Sequence, residues 1–389
     1  MTKQTTTTSG NILLITLLTT GWLAGGRVGA AESANPSPAT DAWRIPAQAA
    51  IEKGLQWLGT QQKANGAWSD EKFPALTALG LWAVAGSDVS NRAGLCEKAA
   101  TFVAGFAQED GGIYQPATSG RGSGGLATYN TAICMTALYH FDRVRFAPII
   151  LKAREYMAGS QLQGDSAGAG GFGYERPNAN PRNRPDLSNT AWSMMAMRVT
   201  QDVEDLRPAR TKAVDIDWEA ATRYIATLQN RDAGDALNHG GFGYESGGER
   251  GGTSADASGA VTLRGYGSMT YAGLEAMIYA QVDRRDPRVL SAVEWASRHW
   301  SVEENPGMGL KGLYYYYNIL AKSLHLMGDR SLKDANGNDI PWRKDLINAL
   351  VRSQHPDGSW ANSDNTFWEN NPVLVTAYAV LTLEYALKP

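Results

Sequence analysis

Asp186 heads the run Leu187-Ser188-Asn189-Thr190-Ala191, where a stretch that is apolar nearly all round begins. A carboxyl at that place has two uses. It can cap a helix, because Asp accepts from the first free N–H groups and sits well against the helix dipole. If buried it can also hold a proton near neutral pH, because burial disfavours the charged form. Asp215-Ile216-Asp217 is a second acidic pair, placed before an amphipathic stretch, and it reads as a cap. Glu175 and Glu245 each follow the phrase Gly-Gly-Phe-Gly-Tyr. Paired carboxylates can run glycoside hydrolysis, but a repeated phrase also duplicates its residues for structural reasons alone.

Aromatic and polar residues gather at similar places: Tyr129 and Asn130, Ser188 and Asn189, Trp192, Tyr266 and Tyr271, Tyr314 to Tyr317, Asn370 and Asn371. Aromatic walls suit an isoprenoid, and their π faces attract a carbocation. The same residues would also fill a core. Arg182, Arg184, Arg264 and Lys311 lie nearby, and arginines at helix N-termini form anion sites fit for a diphosphate. His140, His239, His299, His325 and His355 are scattered without zinc-ligand spacing. No Walker loop or dinucleotide fingerprint occurs, so no metal or cofactor is expected. Net charge is −3 with no long basic run, which excludes nucleic acid as a partner.

The elements that must position these residues repeat. A helix-like stretch ends in Gln, and a Gly-rich turn follows that closes on an aromatic: Gln62 with Gly66-Ala67-Trp68, and Gln354 with Gly358-Ser359-Trp360. Between them lie Gln108 with Gly112-Ile113-Tyr114, Gln161 with Gly171-Phe172-Gly173-Tyr174, and Gln229 with Gly241-Phe242-Gly243-Tyr244. A period of roughly 45–70 residues means one supersecondary unit used many times. Each unit holds two helices. The first is amphipathic, as in residues 47–62, where Ile51, Leu55 and Leu58 share a face. The second follows the turn, as in residues 75–85, 130–139, 189–199, 269–280, 314–326 and 372–387, and is apolar nearly all round, so it must be buried on most sides. One hairpin cannot bury its face alone, whereas about six can close with the apolar helices inside. The expected fold is therefore all-α, an α/α toroid. The fifth unit departs: Trp300 stands at the Gln position, and Glu303-Glu304-Asn305-Pro306-Gly307 lacks the aromatic. Longer inserts rich in Gly, Ser, Asn and Pro gather at residues 164–185, 201–217 and 233–264, the usual composition of a functional rim.

Residues 1–30 carry a secretory signal pattern: Lys3, the apolar run of residues 12–18, and small residues ending at Ala30. Residues 31–45 read as a flexible leader and 46–389 as the toroid. The chain is thus expected to be exported, to the periplasm, cell envelope or outside. Cys96 and Cys134 each fall in a helical pattern and read as buried free thiols.

Lys53-Gly54, Trp57-Leu58, Gln62 and Gly66-x-Trp68 resemble the QW repeat of squalene–hopene and oxidosqualene cyclases, and more widely the terpenoid cyclase and protein prenyltransferase toroid. The resemblance covers residues 47–387. It implies that Gln62, Trp68, Gln354 and Trp360 fasten neighbouring helices and are structural. It also implies that an Asp-x-Asp-Asp-Thr-Ala motif protonates an alkene. Here that stretch is Asp186-Leu187-Ser188-Asn189-Thr190-Ala191: the first Asp, the Thr and the Ala match, Ser188 stands in the acid's place and Asn189 beside it. The Asp-x-Cys zinc pair of the prenyltransferase branch and the Asp-Asp-x-x-Asp magnesium motif are absent. The expectation is a cell-envelope toroid that binds an isoprenoid or other lipid among aromatic residues, associates with a membrane surface, and has Asp186 as its only family-derived acid. The alternatives are a non-catalytic scaffold for a lipid, glycan or protein, and a glycan-active α/α barrel using rim carboxylates.

Overall fold

The computed structural model describes residues 42–116, 126–177, 184–245, 253–255, 261–263, 265–328 and 332–389. The expected signal peptide and most of the leader lie outside these residues, as do Arg182 and Arg264. Residues 41–389 form one compact unit.

Its helices alternate between an outer and an inner set. The outer set is α1 (Arg44–Gln61), α3 (Arg92–Ala104), α5 (Ala147–Ala158), α7 (Trp218–Thr227), α9 (Pro287–Arg298) and α11 (Trp342–Ser353). The inner set is α2 (Pro74–Ala85), α4 (Ala127–Asp142), α6 (Leu187–Val199), α8 (Gly267–Tyr279), α10 (Leu313–Met327) and α12 (Pro372–Leu387). The first outer helix begins at Arg44, inside the stretch read as leader. Every residue of α2 is buried, as an element apolar on all sides requires. Each inner helix packs on the next around the ring, and α12 packs on both α10 and α2, which closes the toroid. Gln201–Leu206 and Thr366–Trp368 are short 3-10 turns, and a small antiparallel hairpin, β1 (Thr253–Ala255) with β2 (Val261–Leu263), lies in the third insert. Among the described residues no helix is long and apolar enough to cross a membrane. Cys96 and Cys134 are both buried and free.

The seam between units explains the repeated phrase. Gln62 donates to Leu95 O of α3 at 2.9 Å, and Gln354 donates to Ala50 O of α1 at 2.9 Å across the point where the ring closes. Gln161 and Gln229 reach Asp217 O and Arg288 O in the same way. Trp68 and Trp360 are fully buried, and each indole N–H donates at 2.8 Å to a carbonyl of the preceding outer helix's last turn, Leu58 O and Leu350 O. Carbonyls of a helix's last turn lack the full set of backbone partners that those of its interior have. The turn glycines have positive φ, and a Cβ on Gly66 would lie 2.3 Å from Lys98 O of the next outer helix, so only glycine fits.

The geometry corrects the register of the middle units. Gly111, Gly170 and Gly240 share the positive φ of Gly66 and Gly358. The residues equivalent to Trp68 are therefore Ile113, Phe172 and Phe242, all fully buried, and not Tyr114, Tyr174 and Tyr244. Gln108 is one place late: its backbone N–H bonds Gly112 O as that of Lys63 bonds Ala67 O, which puts Ala107 at the Gln position. The Gln108 amide accordingly stays local, on Phe106 O and Tyr114 O.

A further member of the phrase is a threonine. The backbone N–H of the turn's closing residue donates to an inner-helix Thr hydroxyl in five units: Trp68 to Thr77, Ile113 to Thr131, Phe172 to Thr190, Phe242 to Thr270 and Trp360 to Thr376. Thr77, Thr131, Thr190 and Thr376 are each followed by Ala. The Thr190-Ala191 part of the acid-motif match is thus the repeat itself, and Asp186 is what remains of the match.

Candidate functional site

At the N-terminal ends of the inner helices, side chains from several units meet. Asp186 is the N-cap of α6 and is 1% exposed. Its Oδ1 accepts from the Asn189 backbone N–H and its Oδ2 from Asn189 Nδ2, both at 2.8 Å. Burial raises its pKa to about 7 against the pull of these donors and the Tyr244 hydroxyl, and the Glu245 charge raises it further. Both expected properties, cap and buried carboxyl, are present in one residue.

The register correction frees Tyr174 and Tyr244 for this end. Their carbonyls accept from Thr128 N and Leu187 N, the first turns of α4 and α6, which fixes both residues in place. Their hydroxyls meet at 2.6 Å. Tyr129 lies 6.4 Å from the Tyr174 ring and 5.9 Å from the Trp192 ring. Its hydroxyl interacts with Ser188 and Tyr378. Ser188 Oγ meets the Tyr315 hydroxyl at 2.9 Å, and the Tyr315 and Tyr378 rings lie 6.1 Å apart. Burial raises the pKa of Tyr129, Tyr244, Tyr315 and Tyr378, so these phenols are neutral at physiological pH. Yet Tyr129, Tyr174, Tyr244 and Tyr315 retain partial exposure. Strong desolvation together with partial exposure puts these rings at the edge of the packed interior.

Other expected site residues go elsewhere. Asn130 caps a neighbour: its Oδ1 accepts from Ala75 N of α2, and its Nδ2 donates to Leu126 O. Tyr266 is the buried N-cap residue of α8. Tyr271 is buried against Tyr316, ring centroids 5.8 Å apart. Tyr314 turns outward to Ser353 of α11, and Tyr316 and Tyr317 turn to Ser301 O and Val302 O. Of that run Tyr315 alone joins Ser188. Asn370 is exposed, and its neighbour Asn371 caps α12. Arg184 and Lys311 are exposed. Asp217 caps α7 through Ala220 N. Glu175 and Glu245 occupy equivalent places with different neighbours: the charge of Glu175 acts on Tyr114, that of Glu245 on Asp186 and Tyr224.

Below the tyrosines the axis holds an ion pair absent from the sequence reading. Lys322 Nζ of α10 lies 3.1 Å from Glu275 Oε1 of α8, and both side chains are 2% exposed. The ammonium also stands 4.4 Å from the centre of the Trp192 ring and 3.4 Å from Met195 Sδ. Burial raises the Glu275 pKa and the Lys322 charge opposes it. A charge in each of two helices that are otherwise apolar was the available signal.

The opposite end is different. Trp82 stacks on His140 at 4.8 Å, Lys388 Nζ lies 4.1 Å over the Tyr385 ring, and Glu384 stands beside Gly86. Burial lowers the His140 pKa to about 4 and raises that of Glu384 to about 8. Among the described residues no three of His, Cys, Asp and Glu gather as a metal site.

No protein-family model and no curated protein sequence matches the chain. Solved structures do. A variant of the type II terpene cyclase MstE from Scytonema, in complex with merosterolic acid A, superposes with TM-score 0.51 at 14% identity over 88% of this chain and 98% of that one. The fold is the α/α toroid. A family 76 glycoside hydrolase from a bovine Bacteroides thetaiotaomicron strain matches with TM-score 0.54 at 12% identity over 87% of this chain and 79% of its own. A protein from Actinoplanes matches with TM-score 0.53 at 13% identity over 88% and 100%. At such identities the likeness carries the fold, and the site must carry the function.

Proposed function

We propose that this toroid binds an isoprenoid-type amphiphile at the N-terminal ends of its inner helices, between Tyr129, Ser188, Trp192, Tyr315 and Tyr378, and does not protonate alkenes. The observation that carries the reading is the group of desolvated, partly exposed tyrosines. They border the Trp192 ring, and their own rings and hydroxyls give the wall both apolar and polar surface, as an amphiphile requires. Alkene protonation needs a strong acid. Asp186 has a pKa of about 7 and both its oxygens already accept hydrogen bonds, so it supports a cap and an acceptor better than a proton donor to carbon. Phe367 and Trp368, exposed on the same rim with φ of 59° and 64°, give the site an apolar edge suited to a bilayer surface. That fits an exported protein of the cell envelope.

Lipid extracted from the purified protein and identified by mass spectrometry tests the reading. An isoprenoid is expected, lost in a Tyr129→Ala, Trp192→Ala double variant that still folds. Copurification of no isoprenoid, together with no binding of added geranylgeraniol, would overturn it. Incubation with squalene or prenyl diphosphates is expected to give no cyclic product.

One observation favours a second reading, glycan cleavage. The carboxyl pair that faces each other electrostatically is Asp186 and Glu245, and an acid with pKa near neutrality beside a second carboxylate suits general acid–base work. Polysaccharide turnover abolished by Glu245→Gln would establish it.

A further inference from the structure

The axial ion pair sits among donors that have no acceptor. Trp192 Nε1 and Asn318 Nδ2 are buried without a hydrogen-bond partner, in side chains 2% exposed. Tyr315, Asn318 and Lys322 follow at spacings of three and four residues on α10, so they share one face, which is the face that meets Ser188 and Trp192. Glu275 is near enough to Tyr315 for its charge to act on the phenol. Lys322 bonds Met195 sulfur, a weak acceptor, with one of its three N–H groups. Glu275 Oε1 lies 3.1 Å from Lys322 Nζ, so the pair is in direct contact. An unmet buried donor costs about 1–3 kcal/mol, and here two of them lie beside a fully buried ion pair on the axis.

We infer that this cluster is the inner recognition point of the site, and that it takes a neutral oxygen acceptor, the hydroxyl or carbonyl of an isoprenoid alcohol, aldehyde or ketone inserted oxygen-first. The inference rests on the proposed function and sharpens its ligand class. The surplus donors are an indole N–H and an amide N–H, which call for an oxygen. Lys322 is already neutralised by Glu275, and an added carboxylate or diphosphate would face the Glu275 charge in a medium of low dielectric. A plain hydrocarbon leaves the donors unmet. From Tyr315 to Lys322 the helix rises about 10 Å, so the oxygen lies well below the tyrosines and the tail leaves past their hydroxyls.

The test is binding of three probes of similar chain length to the full chain at pH 8: geranylgeraniol, geranylgeranoic acid and the corresponding hydrocarbon. The alcohol should bind at least tenfold more tightly than either of the others. Trp192→Phe, which keeps a ring and removes the N–H, and Asn318→Leu should each weaken the alcohol about fivefold and leave the hydrocarbon unchanged. Equal affinity for alcohol and hydrocarbon, tighter binding of the acid, or an alcohol affinity untouched by both variants would overturn the inference while leaving the amphiphile site standing. Failure of all three probes to bind would remove both.

Discussion

The seam between units and the axis they enclose treat buried side-chain donors in opposite ways. At the seam the donors of Gln62, Gln161, Gln354, Trp68 and Trp360 all reach carbonyls of their own or a neighbouring unit. On the axis Trp192 and Asn318 keep buried donors without acceptors, and Glu275 and Lys322 hold opposite charges out of water. Satisfied polar groups specify a fold. Unsatisfied ones are tolerated where something else gains from them. The seam is therefore where stability resides, and the axis is where a ligand would be felt.

Breaking the seam should have the largest effect. Trp360 is fully buried at the unit that closes the ring, and its ring lies 2.7 Å from where a Cβ on Gly54 would stand. Trp360→Ala is expected to lower unfolding free energy by about 3–5 kcal/mol, read from urea denaturation. Trp57→Ala, at the half-buried start of the same phrase, should do far less. Comparable losses would end the distinction between fastening and decorative members of the repeat.

That distinction also marks what the chain reveals unaided. The outer clasps are legible because a Gln and a Trp at fixed spacing are rare and their donors need partners. The middle units mislead by one residue, because Gly-Gly-Phe-Gly-Tyr offers two aromatics and only backbone geometry shows that Phe172 and Phe242 are the buried ones. The threonines were passed over because Thr at a helix start is unremarked until its acceptor role is seen. The axis was legible least: helices apolar on all sides have no periodicity to show which face turns inward, so Tyr314 and Tyr315 looked alike and Tyr378 did not stand out. Lys322 and Glu275 were readable in principle, as lone charges in α10 and α8.

A smaller effect tests whether the axis holds its charges as a pair. Lys322→Met leaves Glu275 buried and alone and should cost about 3 kcal/mol, since removing one partner strands the other. Adding Glu275→Leu should restore most of that loss. A single variant as stable as the double would show that the pair contributes nothing at the axis, and the contrast with the seam would weaken.

Asp186 stands where the two regions join, and pH separates its roles. Its folded pKa, about 7, exceeds the ordinary 3.8. Between those values the native state holds a proton that the unfolded state has released, so native stability falls as pH rises through the window. Asp186→Asn keeps a neutral acceptor for the cap and removes the titration. The stability difference between wild type and variant, from denaturation midpoints at pH 5 and pH 8, should favour wild type more at pH 5. A difference independent of pH would mean that Asp186 is not the buried acid described.

The smallest effect bears on the resemblance to the cyclase motif. Thr190 and Thr77 hold the same bond in different units, accepting from Phe172 N at 3.0 Å and from Trp68 N at 2.9 Å. If Thr190 is the repeat's threonine and nothing more, Thr190→Val and Thr77→Val should each cost about 1–2 kcal/mol by leaving a buried N–H unmet, and neither should alter the affinity for geranylgeraniol. The two sites differ in their neighbours: four residues before Thr190 stands Asp186, and four before Thr77 stands Phe73. Equal stability losses with a binding or turnover defect confined to Thr190→Val would therefore place that threonine with Asp186 in the site. Equal losses with unchanged binding would assign the motif's Thr-Ala to the seam and leave Asp186 as the position where this toroid departs from its own repeat.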